Sequence, residues 1–530
     1  MCLDLIKKIC EDMKNIILYM YVFCFGVIIV FLIMSDKIQY GGKCQFIIPN
    51  VVVLFTMFLL FGFSVILVRK RKKEPGAVTC KFDVLKVAVV CSLVLFTAQV
   101  YISYNIFFDT GWDVETIVGA AKALADNDLD MLNKRYVQYF SLYPNNLFLI
   151  HLFAKVLRWN SLAGVFSAGE ESMAIIVVNC MFNTVTIFLL FLLLRDIVGD
   201  KFAMQGYFLG ILLFGFSPWV TIPYSDSIGL VFPVLLVYIY NKKTEVFWKT
   251  LLKYVLLSLL SCVGYYIKPQ IFIVIIAIVI VDVLKLTSNL KSLDTRKWKQ
   301  IAVVAIVFAS LLGFGKVCIE KNNVIDGFQI NDNLTMGPTH YLMMGLNSKN
   351  NGCYYKEDLE NSKACKNREE RSKMNLTVAR KRLEQFGLCG YMKHLLKKTL
   401  SVYNNGTFAW GKEGNFWRNV HEEKNTLVSP FLRNIYYEDG KYNRHFQQFE
   451  QIVWLFVLVC CLLSGVMNLR NKDDKSPVYM VLILAILGLT VFEILFEARA
   501  RYLYIYAPIY VIVATIGMER LYRRVCKCRN

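Results

Sequence analysis

The side chains best suited to chemistry in this chain fall in five short segments. The first is Asp109-Thr-Gly-Trp-Asp113-Val-Glu115. A carboxylate there can take a proton from a hydroxyl group as a general base. Asp113 can equally cap the helix that Ile117, Ala120, Ala121 and Leu124 predict just after it. The second is Tyr139-Phe-Ser-Leu-Tyr143-Pro144-Asn145-Asn146, where Pro144 favours a turn and a helix start and Tyr143 would form a rim beside Asp113. The third runs from Ser217 to Asp226 and reads as a hairpin turn with an unpaired carboxylate, either solvated or capping the next helix. The fourth, Gly264-Tyr-Tyr-Ile-Lys268-Pro-Gln270, carries a lysine that can snorkel to a membrane surface or hold a phosphate. The fifth and densest is Glu493-Ile-Leu-Phe-Glu497-Ala-Arg499-Ala-Arg501-Tyr502. In a continuous helix Glu493, Glu497 and Arg501 would stack on one face. That pattern makes either a structural ion-pair ladder or an anion clamp, because a guanidinium presents a planar fork of donors matched to phosphate oxygens.

The elements that must position these residues are membrane helices. The chain has 530 residues and a net charge of +20, with 56% hydrophobic and only 19% charged residues. A soluble domain carries roughly a quarter charged residues. Apolar runs long enough to span a bilayer core of ~30 Å recur near 15–34, 46–68, 84–108, 173–195, 203–219, 225–240, 250–267, 269–285, 300–319, 451–469, 477–496 and 502–519. A shorter run, 145–157, contains His151 and Lys155 and reads as an interfacial helix. The fold class is therefore an all-α polytopic membrane protein with about twelve spans and one interfacial helix. No cleavable leader is recognised, so the first run reads as a span whose N-terminus stays inside.

Charge fixes the sides. Twelve crossings that start inside put the basic segments around 69–83, 241–249, 286–299 and the tail from 520 in the cytoplasm, as the positive-inside rule requires. Counting 145–157 as a crossing would turn 241–249 and 286–299 outward. The five chemical segments then all face out, together with a large polar region. The expected organisation is 1–75, two accessory spans and a basic linker; 76–320, a transmembrane core with a first outer loop at 109–145; 321–450, an extracytoplasmic mixed region; and 451–530, a three-span bundle and basic tail. Clustering of the cations between apolar runs excludes a nucleic-acid partner. Of 16 cysteines, about half sit inside apolar runs as small hydrophobes; Cys353 and Cys365 are the pair that an oxidising compartment could bridge. No metal-ligand spacing and no CxxC, HExxH, P-loop or GxGxxG motif is present.

A carboxylate, several cations and a covering polar region at the outer edge of a bilayer suit a substrate with a lipid tail, a phosphate and a transferable polar group. Sugar transfer from a polyprenyl-phosphate donor has these needs. The acceptor hydroxyl requires one base, and the departing phosphate ester requires positive charge rather than a protonating acid.

The order of the motifs resembles the GT-C superfamily of integral membrane glycosyltransferases, in its protein O-mannosyltransferase-like and aminoarabinose-transferase-like branches. The likeness rests on Asp113 before the small-residue helix, Tyr143-Pro144 before an apolar helix, the later carboxylate Asp226, and Arg501-Tyr502 before the Pro508 span. It covers residues 84–320 well and 490–520 loosely. It implies a plasma-membrane enzyme with cytoplasmic termini and an extracytoplasmic site. It also implies an inverting transfer to a surface polysaccharide, teichoic acid or protein. Val114 separates Asp113 from Glu115, and Asn145 follows Pro144, where the family often has Asp-Glu and a second proline; Asp109, Asp113 and Glu115 all stay candidates for the base. Arg499, Arg501 and Lys268 are the expected phosphate ligands, with Asp226, Tyr143, Glu497 and Tyr502 beside them. Some relatives use a divalent metal, and no dense carboxylate cluster here requires one. The alternatives are a transporter or flippase of lipid-linked sugars, a surface-polymer polymerase or ligase, and a non-enzymatic scaffold.

Overall fold

Inside lipid a helix satisfies its own backbone polar groups, whereas an open strand cannot. The protein follows that constraint. The computed structural model describes residues 2–43, 46–70, 83–167, 169–288, 290, 294–420, 426–470 and 476–527. Among them the only strand pairing is a two-residue ladder, Ile38–Gln39 with Gly42–Lys43. The chain is an all-α polytopic membrane protein.

Each of the twelve expected spans falls on helix. Nine of the described helices are long and apolar enough to cross a membrane by length and composition. Of the other three, the second span is the 21-residue helix Asn50–Lys70, and two are shorter for local reasons. The helix Asp200–Gly210 widens into a π turn, Ile211–Gly215, and stops before Ser217-Pro218. Ser225–Asn241 begins at the turn that carries Asp226. The short run expected at the interface is the helix Leu147–Ala163, which starts from a 3-10 turn at Pro144–Asn146 and ends at Gly164 with φ 63°. Its buried face, Leu149, Ile150, Phe153 and Leu157, packs with the helix Trp112–Ala125.

Burial ranks the spans. Ala500–Cys526 is the axis of the bundle, with 89% of its apolar window inside the protein, and it packs on Asn443–Arg470 and Asp200–Gly210. Thr295–Asn322 is peripheral, with only 6% inside, so its apolar side chains are left for lipid. Connections alternate between two poles. The ends of the helices near Asp196, Lys242, Ser476 and Arg520 line one common cavity. The opposite ends carry the five chemical segments and the polar region. The basic stretch 71–82 lies outside the described residues.

The polar region contributes the helices Pro338–Gly345, Lys356–Lys363, Arg368–Tyr403 and Ser429–Tyr436. The expected helix around 375–385 is part of Arg368–Tyr403, which bends at Gly387 (φ 55°). Cys353 and Cys365 stand as free thiols rather than a bridge. The eight-residue helix Lys356–Lys363 lies between them in sequence.

Candidate functional site

A broken helix builds the site. Pro477–Leu495 stops at Leu495, Phe496 and Arg499 adopt extended backbone, and a 3-10 segment, Ala500–Tyr506, follows. Lys398, a buried lysine of Arg368–Tyr403, holds the break. Its Nζ donates to the carbonyls of Ile494 (2.9 Å), Phe496 (2.6 Å) and Gly345 (2.9 Å). Carbonyls at a helix C-terminus have no partner within the helix, and an ammonium group satisfies them while complementing the helix dipole. Burial pushes the Lys398 pKa down to about 8.

Because the helix breaks, Glu493, Glu497 and Arg501 do not stack on one face as the spacing predicts. Their side chains fan out. Arg499 donates from its backbone to Glu493 (3.1 Å), from Nε to Glu497 (2.9 Å) and from Nη1 to Glu413 (2.6 Å). Arg501 donates from Nε to the other oxygen of Glu413 (2.8 Å) and from Nη1 to Asp226 (2.6 Å). The second oxygen of Asp226 accepts from Lys268. The result is a chain of alternating sign, Glu497, Arg499, Glu413, Arg501, Asp226 and Lys268. Asp226 is fully buried, and Arg501 and Lys268 are 3–4% exposed. Buried ions persist only when paired and hydrogen-bonded, and strict alternation provides both. Burial, with the two arginines nearby, moves the Lys268 pKa down to about 8.

These contacts correct three readings. Asp226 is not an unpaired turn carboxylate, and Lys268 does not snorkel; they are partners. Nor is the arginine pair an open clamp. Three cations, Lys268, Arg499 and Arg501, meet three carboxylates, Asp226, Glu413 and Glu497, for a balance of 3 − 3 = 0.

Glu413 is the residue that sequence reasoning missed. It sits in the loop between Trp410 and Trp417. Trp410 Nε1 donates to Tyr436 O (2.7 Å) and Trp417 Nε1 to Gly411 O (3.0 Å), so both rings anchor the loop. Tyr40, from the turn after the first helix, donates to Glu413 (3.2 Å). An acid between two tryptophans in a Gly- and Asn-rich loop was the available signal.

Asp113 reaches the network from the opposite wall. It lies in the first turn of Trp112–Ala125, whose N-cap is Gly111 and not Asp113. A carboxylate in that turn is favoured by the helix dipole. Trp112 has φ 55°, a strained value for a bulky residue. The Glu413 loop holds it there: Asn415 Oδ1 accepts from Trp112 N (2.7 Å), and Gly111 N donates to Phe416 O (3.3 Å). Asp113 Oδ2 accepts from the Tyr224 hydroxyl (3.3 Å). The Arg501 guanidinium lies 5.0 Å from the Tyr224 ring, 5.1 Å from Trp112 and 5.3 Å from Tyr502. One tyrosine ring therefore separates Asp113 from the buried cations.

The three acids of the first segment part company. Glu115 faces Arg135 (3.9 Å) and Arg418 (3.8 Å). With Asp109 it lines a separate cavity of about 370 Å³ that Asp113 does not line. Tyr143 packs at a tilt against Tyr139, ring centres 5.2 Å apart and planes 55° apart. Burial raises the pKa of Tyr139, Tyr143, Tyr224 and Tyr341, and the Asp113 charge adds to it in each case. These phenols stay protonated, and the Tyr224 hydroxyl is the one that donates to Asp113. A divalent metal does not fit this donor set. The buried carboxylates are turned toward guanidinium and ammonium groups, and no group of three His, Cys, Asp or Glu among the described residues is placed to hold an ion.

Over 85% of its length the chain aligns, at 12% identity and TM-score 0.42, with the archaeal oligosaccharyltransferase AglB from Archaeoglobus fulgidus in complex with an inhibitory peptide and a dolichol-phosphate. The match covers 52% of that protein, so the chain spans about half its length. Over 82% of its length it also aligns with ArnT from Cupriavidus metallidurans, in the apo state (12% identity) and bound to undecaprenyl phosphate (13%), both at TM-score 0.30 and covering 77% of that chain. No curated protein matches. A helical bundle with a buried ion network is common to many membrane proteins, but one family description spans the molecule from the first helix through the last: by that match over residues 9–522, the chain belongs to the family of conserved hypothetical integral membrane proteins.

Proposed function

We propose that this protein is a membrane glycosyltransferase that moves a sugar from a polyprenyl-phosphate-linked donor to a cell-surface polysaccharide, teichoic acid or protein. The observation that supports it is the approach of Asp113 to the Arg499–Arg501 network across Tyr224. Asp113 takes the acceptor hydroxyl proton as the acceptor oxygen bonds to the anomeric carbon. The bond from that carbon to the phosphate oxygen breaks, and the lipid phosphate leaves as an anion with inversion. The arginines share one loop carboxylate, whose two oxygens bridge them at 2.6 and 2.8 Å. Two phosphate oxygens have the same bite, so in this reading the donor phosphate takes the place of Glu413. Charge growing on the phosphate then meets fixed guanidinium groups in a site of low dielectric, where electrostatic stabilisation is strongest. The site faces the extracytoplasmic side, with both termini in the cytoplasm.

A transporter would need a polar route through the bundle. The mid-span amides are instead bonded to one another and to nearby backbone. Gln99 donates to Asn183 (2.9 Å) and to Gly215 O (2.7 Å), and Asn183 donates to Phe214 O (3.1 Å). The test is to incubate purified protein with labelled polyprenyl-phosphate sugars and an envelope extract. Protein-dependent release of polyprenyl phosphate with label passing to the extract is expected. No release across a panel of hexose and pentose donors would sink the proposal.

A further inference from the structure

We propose that the indole N–H of Trp112 donates to the phosphate oxygen from which the sugar departs. This rests on the sugar-transfer reading of the same site and adds a residue to it. Nε1 of Trp112 is buried and, among the described residues, has no hydrogen-bond partner. A donor left unpaired in a protein interior is costly and uncommon. The backbone of Trp112 is strained as well, at φ 55°. Other tryptophans nearby differ: Trp219, Trp410 and Trp417 each donate from Nε1 to a backbone carbonyl.

The unpaired donor lies beside a site that already holds an anionic group. The Arg501 guanidinium is 5.1 Å from the centre of the Trp112 ring. Arg501 spends Nε on Glu413 and Nη1 on Asp226, and its Nη2 makes no hydrogen bond among the described residues. The two oxygens of Glu413 are taken by Arg499, Arg501 and Tyr40. Trp112 Nε1 and Arg501 Nη2 are therefore donors that the resident carboxylate does not meet. A phosphodiester donor also offers two free oxygens. A phosphate monoester offers three. The third is the oxygen freed when the bond to the anomeric carbon breaks and leaves its electron pair there, as the acceptor oxygen bonds to that carbon and its proton passes to Asp113. A hydrogen bond gained only as that charge develops stabilises the transition state more than the bound substrate.

Access and spacing fit this role. Glu413 lies between Gly411 (φ 72°) and Gly414 (φ 44°), both in left-handed backbone, so residues 411–414 form a short flap with a pivot at each end. A Cβ at Gly414 would stand 3.6 Å from the Trp112 Cβ, which sets the flap against the tryptophan. A phosphate that takes the place of Glu413 lifts the flap and uncovers Nε1. Tyr224 sets the spacing. Its hydroxyl reaches Asp113 (3.3 Å), and its ring centre is 5.0 Å from that of Trp112. The base and the indole donor are thus kept apart along one side chain, as displacement with inversion requires of groups facing the entering and departing oxygens.

The test replaces Trp112 with benzothienylalanine, which keeps the bicyclic ring and has sulfur in place of the N–H, in the full chain purified in detergent. Retention of polyprenyl phosphate and of the polyprenyl-phosphate sugar is read by native mass spectrometry, beside turnover and unfolding. Polyprenyl phosphate should be held about tenfold more weakly, as for one lost hydrogen bond to a charged group, with the sugar donor held as in the parent. Turnover should fall by a similar factor at unchanged KM. The unfolding midpoint should not drop, because the resting fold loses no bond. The same replacement at Trp417 removes a bond to Gly411 O and should lower it. Equal retention of polyprenyl phosphate by variant and parent overturns the proposal. So does an equal loss for both ligands, or a midpoint drop as large as at Trp417, since either makes Trp112 a packing residue. A parent that transfers no sugar from any donor refutes the sugar-transfer reading and the proposal together, whereas the other outcomes refute the proposal alone.

Discussion

Glu413→Gln is the perturbation that the network predicts most sharply. Glu413 is 3% exposed, and its two oxygens take Arg499 Nη1, Arg501 Nε and the Tyr40 hydroxyl. Glutamine keeps the shape, removes the charge and replaces one acceptor oxygen with an NH2 donor facing a guanidinium. The buried balance moves from zero to +1. Removing one partner of a buried pair costs about 3–5 kcal/mol. Arg499 keeps Glu497 and Arg501 keeps Asp226, so the lower end applies, about 3 kcal/mol or roughly a hundredfold in the unfolding equilibrium. The assay is equilibrium unfolding in mixed micelles of the parent, Glu413→Gln and Lys412→Gln. The neighbouring Lys412 pairs with the half-exposed Glu438, a surface contact worth at most about 1 kcal/mol. Added polyprenyl phosphate should stabilise Glu413→Gln more than the parent, because phosphate replaces the lost bridge. A Glu413 variant within about 0.5 kcal/mol of the parent, or no sharper than Lys412→Gln, would refute the reasoning.

Further outcomes follow from the same contacts. Lys268 and Lys398 bind protons more weakly in the fold, at about 8, than in the unfolded chain, near 10.4. The unfolded chain therefore holds more protons between those values, and stability should rise as pH climbs from about 8 toward about 10.4. Transfer should fall over the same window if the Lys268 charge is used, and Lys268→Arg should remove that fall; an identical alkaline limb in the arginine variant speaks against it. Lys398→Met should leave three carbonyls without their shared donor, costing about 1–3 kcal/mol, and should lower turnover by releasing the 496–501 segment. Unfolding and turnover measured on one preparation check both effects. At Gly111 an added Cβ overlaps the backbone oxygen of Asn415, so Gly111→Ala should loosen the Glu413 loop and raise its protease sensitivity. Unchanged digestion would show that the loop does not depend on this contact.

The fold was legible because burial in lipid leaves so little choice. Apolar runs separated by basic loops located all twelve helical segments, and Pro144 marked the start of the helix Leu147–Ala163. The site was legible in its members but not in its pairing. Asp226, Lys268, Arg499 and Arg501 drew attention as ionisable groups beside spans, yet nothing in their local sequence says that Lys268 answers Asp226 across 42 positions. The i, i+4 pattern of Glu493, Glu497 and Arg501 misled, because the helix stops at Leu495, where a distant lysine, Lys398, takes up the carbonyls of Ile494 and Phe496. Glu413 was hidden for a related reason. Its partners arrive from residues 40, 499 and 501, and a loop acid carries no periodicity to reveal that it is buried. The separation of Asp113 from Asp109 and Glu115 likewise depends on the turn at Trp112, which a loop some 300 residues away holds in place.

The most direct test compares turnover in Asp113→Asn and Glu115→Gln with the parent, using polyprenyl-phosphate sugar and matched unfolding curves. Asp113 makes one long hydrogen bond and is only partly buried. Its replacement should therefore leave stability nearly unchanged while lowering transfer by about 10²–10⁴-fold, the range for a lost general base. Glu115→Gln should retain near-parent turnover. Parent-level transfer by Asp113→Asn, or a loss confined to Glu115→Gln, would contradict the assignment of Asp113 as the base.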